Sequence, residues 1–183
     1  MRNLKVNSDM SHAVNLGADS VSHNLFAIGP WQLHVTHDQH SIQQAYFEFA
    51  TAPAVACGRL HGPRSTLSDL IDDYLSDYLA WREPTVQVPV QAQGSAFQQR
   101  VWQQLRAIPP GQPKTYGQLA KQLNTAAQPV GGACRHNPVA FFTPCHRVIA
   151  ANGLGGFMGQ RTPSAQLSCK AWLLQHEAGF VDA

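Results

Sequence analysis

Two prolines and a glycine interrupt a twelve-residue stretch, Glu83-Pro84, Val88-Pro89 and Gly94, and the sequence pattern differs on its two sides. Proline fixes φ and removes a backbone donor, so neither a helix nor an interior strand runs through such a stretch. The chain of 183 residues therefore divides near residue 92. Charge divides at the same place. Residues 1–92 hold 5 Lys/Arg against 9 Asp/Glu, and residues 93–183 hold 8 against 2. An acidic half joined to a basic half implies that only the second half meets a polyanion, although six net charges over ninety residues are also ordinary surface. With 44% apolar and 13% charged residues, the composition is globular and not disordered.

Before the break the pattern is first that of strands. Trp31, Leu33 and Val35 alternate with Gln32, His34 and Thr36, which predicts a strand with one buried face. Tyr46, Phe47 and Phe49 mark a second strand and Ala54 to Leu60 a third. Residues 1–24 are polar and aperiodic. They read as a disordered extension, an irregular first strand being the alternative. After Gly62-Pro63, Leu67, Leu70, Ile71, Tyr74, Leu75, Tyr78 and Leu79 recur at helical spacing, with Ser65 or Thr66 as the N-cap. The opposite face carries Asp69, Asp72, Asp73 and Asp77, a solvated face and not a convergent metal site.

After the break the pattern is helical. Ser95 caps a helix that places Phe97, Val101, Trp102 and Leu105 on one side, and Thr115 caps a short one from Tyr116 to Gln122. A second short helix follows, from about Ala126 to His136. Two short helices in tandem predict a helix-turn-helix, a unit that presents a helix to DNA but that also occurs as a packed pair binding nothing. The second helix has almost no side-chain bulk: Ala126, Ala127, Gly131, Gly132 and Ala133. Gly131-Gly132 costs roughly 2 kcal/mol of helix propensity relative to alanine. Close approach of a phosphate or backbone accounts for that cost, and so does tight helix packing. A last helix begins near Thr162 or Ser164, carries Leu167, Ala171, Trp172 and Leu174, and ends at Ala178-Gly179.

Of four scattered cysteines, Cys57, Cys134, Cys145 and Cys169, none forms a C-x-x-C pair or a metal spacing, so no metal site is expected. The segment Thr143-Pro144-Cys145-His146-Arg147-Val148 sets one thiol beside an imidazole and a guanidinium. A cysteine is a good nucleophile only as thiolate and needs such neighbours. If the segment is extended, His146 points away from Cys145 and reaches the sulfur only through a water or a sharp turn. Glu177, in the last helix, supplies a carboxylate to orient the imidazole. Arg147 reads as structural, paired with a carboxylate or with carbonyls.

Pro144-Cys145-His146-Arg147-Val148 resembles the active-site motif of the O6-alkylguanine-DNA alkyltransferases, the methylated-DNA–protein-cysteine methyltransferases. The likeness extends through Phe97-x-x-x-Val101-Trp102-x-x-Leu105, Thr115-Tyr116-Gly117-Gln118-Leu119-Ala120, Val130-Gly131-Gly132-Ala133, Arg135-x-Asn137-Pro138 and Lys170-x-Trp172-Leu173-Leu174-x-His176-Glu177, nearly all of residues 95–179. The resemblance implies a mixed α/β (α+β) protein. A ribonuclease-H-like N-terminal domain would span residues 25–92 with the linker, and a winged-helix, helix-turn-helix domain residues 93–183. It implies stoichiometric, irreversible transfer of an alkyl group from guanine O6, and from thymine O4 where that base is accepted, to Cys145. Glu177 would orient His146, and His146 would deprotonate Cys145 through a water. Tyr116 would protonate the departing base, and Asn137 would brace the turn. Val148 and Cys145 carbonyls, Phe157 and the Met158 amide would hold the flipped base. Ala126, Ala127, Gln128, Gly131, Gly132 and Arg135 would meet the minor groove and a phosphate of double-stranded DNA.

The chain departs from the family pattern at Gln128, where an arginine usually fills the gap left by the flipped base. It departs again at Phe157, Met158 and Gln160 in the substrate loop. These changes bear on efficiency and alkyl-group size. They motivate an alternative, a binding module of the same fold that flags alkylated bases without transferring anything. A hydrolase built on Cys145, His146 and Glu177 is a third reading, which an adjacent Cys-His pair fits poorly. The start of the chain shows no secretory pattern, and no apolar run spans a bilayer. The expectation is a cytoplasmic monomer, nuclear if its source is eukaryotic, with no membrane partner.

Overall fold

The computed structural model describes residues 21–48, 58–158 and 162–180. Four strands, β1 (Ser22–Ile28), β2 (Trp31–His37), β3 (Ile42–Glu48) and β4 (Gly58–His61), form an antiparallel sheet in the order β3-β2-β1-β4. Helix α1 (Thr66–Leu79) follows. The remainder is helical: α2 (Ala96–Arg106), α3 (Tyr116–Gln122), α4 (Ala127–Arg135) and α5 (Ala165–Ala178), with a two-stranded parallel pair, β5 (Lys114–Thr115) and β6 (Val148–Ile149). The mixed α/β class matches the expectation, with an antiparallel sheet before the break and helices after it.

The predicted alternation is what β2 shows, with Leu33 and Val35 buried against Phe26 and Ile28 of β1. The supposed extension is corrected at its end. Residues 22–24 are paired in β1, and only residues 1–20 lie outside the described residues. Alternation missed this strand because its first inward position is Asn24. That fully buried amide donates to the Pro63 carbonyl (2.9 Å) and meets His37 Nε2 (2.7 Å). A buried amide satisfied in this way is stable but carries no apolar signal. Phe49 and residues 54–57 of the third predicted strand lie outside the described residues, and β4 is its remainder.

Each predicted cap is present. Ser65, Ser95 and Thr115 accept from the backbone three residues on, and Ser68, Gln98 and Gln118 return the bond in capping boxes. The α1 stripe Leu67, Ile71, Leu75 and Tyr78 is buried, and on the acidic face Asp77 pairs with Arg82 and Asp69 with Arg64. Helix α5 starts where the pattern places it, with Ser164 as N-cap; its buried residues are Cys169, Lys170, Leu173 and Glu177, while Leu167 and Trp172 are partly buried against the core. Two charged groups point inward, which defeats any reading by hydrophobic periodicity.

The halves share one contiguous core, and backbone bonds stitch them along β3. Ile42 N donates to Pro89 O (2.9 Å), and Gln91 N donates to Ile42 O (2.8 Å). Ala45 N donates to Pro138 O (2.9 Å), and Ala140 N donates to Ala45 O (2.8 Å). The edge strand is thereby covered, and the segment leading into Cys145 is anchored on the sheet.

The hairpin turn between β1 and β2 closes at Gly29, whose φ is +56°. A Cβ there would lie 2.1 Å from the Trp172 indole of α5. Gly29→Ala therefore adds backbone strain to a direct clash. We expect a loss of about 2–4 kcal/mol in denaturant unfolding. A change under about 0.5 kcal/mol, the ordinary effect of a surface substitution, would contradict this packing.

Candidate active site

The segment after α4 is built around Asn137. Its side chain donates to Thr143 O (2.7 Å) and accepts from Val139 N (3.1 Å), closing a tight loop over residues 137–143. Pro144 then leads into a single 3-10 turn, Cys145–Arg147, held by Cys145 N to Thr143 O (2.8 Å) and Arg147 N to Pro144 O (3.0 Å). The segment is therefore not extended. In a strand, neighbouring side chains would face opposite ways, whereas this turn directs all three inward. Cys145 is 4% exposed, His146 fully buried and Arg147 6% exposed.

One carboxylate organises these groups. Glu177 of α5 accepts from His146 Nε2 (2.8 Å), from Arg147 Nη2 (2.9 Å) and Nε (2.9 Å), and from the Tyr78 hydroxyl (3.0 Å). Arg147 Nη1 also donates to Ile108 O (2.6 Å). Burial pushes the Glu177 carboxyl up, but His146 and Arg147 outweigh it and hold its pKa at about 2. Burial depresses His146, with Glu177 opposing, so the imidazole is neutral at pH 7. An ionised carboxylate only accepts, so Nε2 carries the proton and Nδ1 bears a lone pair. His146 Nδ1 has no hydrogen-bond partner among the described residues. Burial raises the Cys145 thiol, against the Asn137 amide and the Lys170 charge. The resting pair is a thiol and a neutral imidazole.

Lys170, a lysine of the α5 motif, shows its role only through contacts distant in sequence. Fully buried, it donates to three carbonyls, Val148 and Leu154 (2.6 Å each) and Gly156 (3.0 Å). Burial lowers its pKa to about 8. It ties β6 to the loop carrying Phe157 and Met158. Tyr116 donates to Gly156 O of the same loop (3.2 Å). Met158 sits at φ +47°, an unfavourable conformation for its side chain. Tyr78 was also missed, because a tyrosine in an apolar stripe reads as core.

An open cavity of about 1050 Å³ brings together Cys145, Tyr116, Phe157, Met158, Ala127, Gln128, Gly131, Gly132 and Arg135. His146, Glu177 and Asn137 stand behind its wall. Val148 does not reach it, and its carbonyl already accepts from Lys170. Ala126 caps α4 beside the rim. Ala126, Ala127, Gln128 and Arg135 are exposed, while α4 packs inward through Val130, Ala133 and Cys134. A Cβ on Gly132 would meet no heavy atom within 4 Å, and one on Gly131 only Tyr116 at 3.9 Å. Internal packing therefore does not require these glycines, which removes the helix-packing explanation. Among the described residues no group of three or more His, Cys, Asp or Glu is placed to hold a metal, and no helix is long and apolar enough to cross a membrane. Gln160 lies outside the described residues.

Residues 96–179 match the family model described as "6-O-methylguanine DNA methyltransferase, DNA binding domain". The chain is 45% identical over 111 residues to a methylated-DNA–protein-cysteine methyltransferase of Salmonella typhimurium, a match covering 58% of this chain and 61% of that protein. Its fold is similar to the crystal structure of the Mycobacterium tuberculosis O6-methylguanine methyltransferase (TM-score 0.69, 26% identity, 87% of this chain and 94% of that one). It is equally similar to the OGT of that organism in complex with DNA (TM-score 0.69, 29% identity, 85% and 92%).

The buried cluster fixes how stability depends on pH. Glu177 titrates below its unfolded value of about 4.3, so its contribution is complete above that pH and is lost as pH falls toward about 2. His146 is also depressed, so its contribution is complete above its unfolded value of about 6.5 and declines below it. Unfolding free energy should fall from about pH 6.5 downward and more steeply below about pH 4. Glu177→Gln leaves Arg147 unpaired and should cost about 3–5 kcal/mol at pH 7. That gap should narrow as pH approaches 2. Parallel curves for the two proteins in denaturant melts would contradict the assignment.

Proposed function

We propose that this chain, whose residues 96–179 belong to the 6-O-methylguanine DNA methyltransferase family, repairs alkylated DNA by direct reversal: it moves a methyl or small alkyl group from guanine O6 to its own Cys145, once and irreversibly. One observation carries this reading. Cys145 lies on the wall of an open cavity of about 1050 Å³, with a buried neutral imidazole and its carboxylate behind it.

In this mechanism Glu177 holds His146 with its proton on Nε2, and the Nδ1 lone pair takes the Cys145 proton through a bridging water. The paired charges of thiolate and imidazolium form only at the moment of attack, away from bulk solvent. The sulfur displaces guanine O6 from the alkyl carbon. The S–C bond forms, the C–O6 bond breaks, and its electron pair returns to the base. Tyr116, turning from the Gly156 carbonyl, donates a proton so that guanine leaves neutral. The thioether is stable and no step of this scheme regenerates the thiol or calls for a cofactor, so the protein acts once. Asn137 keeps the turn rigid, and Phe157, Met158 and Tyr116 shape the space for the base.

Double-stranded DNA is the partner in this reading. The exposed, nearly bare face of α4 suits a minor groove about 6 Å wide, and Arg135 at its end suits a phosphate. Gln128 would meet the orphaned partner base, a contact worth about 1–3 kcal/mol when an arginine makes it. The division of labour at residues 92/93 belongs to the same proposal: the first half supports and the second reads DNA and reacts. Unpaired thiols at Cys134, Cys145 and Cys169 suit a reducing compartment such as the cytoplasm. The alternative, a binder that transfers nothing, has no use for the Cys145 thiol on the cavity wall.

After incubation with a duplex containing O6-methylguanine, the intact mass should rise by one methyl group in place of hydrogen, located on Cys145. Cys145→Ser should show no gain. Lesion-selective binding with no adduct at excess DNA would overturn transfer and favour the binding module.

A further inference from the structure

The two oxygens of Glu177 are unevenly loaded. Oε1 accepts from His146 Nε2 (2.8 Å), Arg147 Nη2 (2.9 Å) and Nε (3.1 Å), and Tyr78 (3.0 Å), whereas Oε2 accepts only from Arg147 Nε (2.9 Å) among the described residues. A carboxylate oxygen offers about two lone-pair sites, so these donors compete. The Tyr78 hydroxyl therefore draws on the same oxygen that polarises His146.

The Tyr78 ring is held without its hydroxyl. It packs edge-on against Phe141 (4.9 Å, 86°) and tilted against His176 (5.0 Å) and Phe180 (5.6 Å). Its carbonyl accepts from His176 Nε2 (2.9 Å), and Trp81 Nε1 donates to the His176 carbonyl (3.0 Å). Two indoles, Trp81 and Trp172, stack on the His176 ring at 5.0 and 5.2 Å. This clasp fixes the end of α1 against α5, so the hydroxyl is free to serve an electrostatic purpose.

We propose that Tyr78, contributed by the first half of the chain, is a positioning residue that limits the basicity of His146 by sharing Glu177 Oε1 with it. The inference rests on His146 being the base of the proposed transfer. The groups facing the pair are Arg147 on the 3-10 turn, Tyr74 and Tyr78 on α1, and Lys170 on α5, with Cys145 adjacent in the chain. Removing one hydroxyl leaves the other charges in place. Oε1 then gives more of its charge to His146, and the imidazole holds a proton at higher pH. With Tyr78 present, the Nδ1 lone pair stays available as the solution becomes mildly acidic.

The test compares wild type, Tyr78→Phe and Tyr74→Phe. Tyr74 lies one turn away, and its hydroxyl makes no bond to Glu177 in the structure. Two readouts are taken: the NMR titration of the His146 imidazole in the free protein, and the pH profile of single-turnover methyl transfer. Tyr78→Phe should move the His146 titration, and the acidic limb of the rate profile, upward by about half a pH unit or more. Tyr74→Phe should leave both in place. A purely structural role would lower the melting temperature without moving either midpoint. Coincident midpoints for wild type and Tyr78→Phe, or an equal shift in Tyr74→Phe, would overturn the proposal. Because the NMR titration needs no transfer, a wild type that transfers nothing would count against the repair function and leave this inference to be decided by the titration.

Discussion

A carboxylate with almost no access to water is costly to keep ionised, and Glu177 is tolerable only because donors surround it. Those donors come from distant parts of the chain: Tyr78 from the end of α1, and His146 and Arg147 from the turn after the Asn137 loop. Because these donors converge on one buried carboxylate, the cluster specifies how α1, α5 and the turn meet. The same bonds fix the imidazole tautomer. The contacts that order the core are therefore also the ones that set the protonation of His146, the base in the proposed reaction.

The sheet reaches the site by a second route. Ala45 on β3 exchanges backbone bonds with Pro138 and Ala140, and from there Asn137 and Thr143 set the position of Cys145. On the far side Lys170 gathers Val148, Leu154 and Gly156, so β6 and the loop above the cavity move as one. The thiol is thus held from the sheet side by backbone pairing and from the loop side by a buried cation. Between them, α4 offers a surface with little side-chain bulk, and Gly132 has open space where a Cβ would be.

What could be read from the sequence is what local physics controls. The caps at Ser65, Ser95 and Thr115 and the stripes on α1 and α2 depend on neighbours three or four residues away, and they stand where the pattern puts them. The residues proposed as nucleophile, base and orienting carboxylate were picked out through family motifs, and the geometry sets His146 against Glu177 and Asn137 at the start of the turn that carries Cys145. Features that depend on distant partners were hidden. Asn24 points inward from β1 because Pro63 and His37 satisfy its amide, and α5 turns Lys170 and Glu177 inward because carbonyls and cations await them. Tyr78 reads as one more aromatic in a stripe until α5 sets a carboxylate against its hydroxyl. Pairs as short as β5 and β6 carry no period at all.

The account rests on an imidazole that is neutral, protonated on Nε2 and bare on Nδ1, and nitrogen-15 chemical shifts of His146 in the free protein at pH 7 measure this directly. The structure predicts a protonated-type Nε2 and an unprotonated-type Nδ1, with the pattern lost in Glu177→Gln. An imidazolium signature on both nitrogens, or a proton on Nδ1, would contradict it.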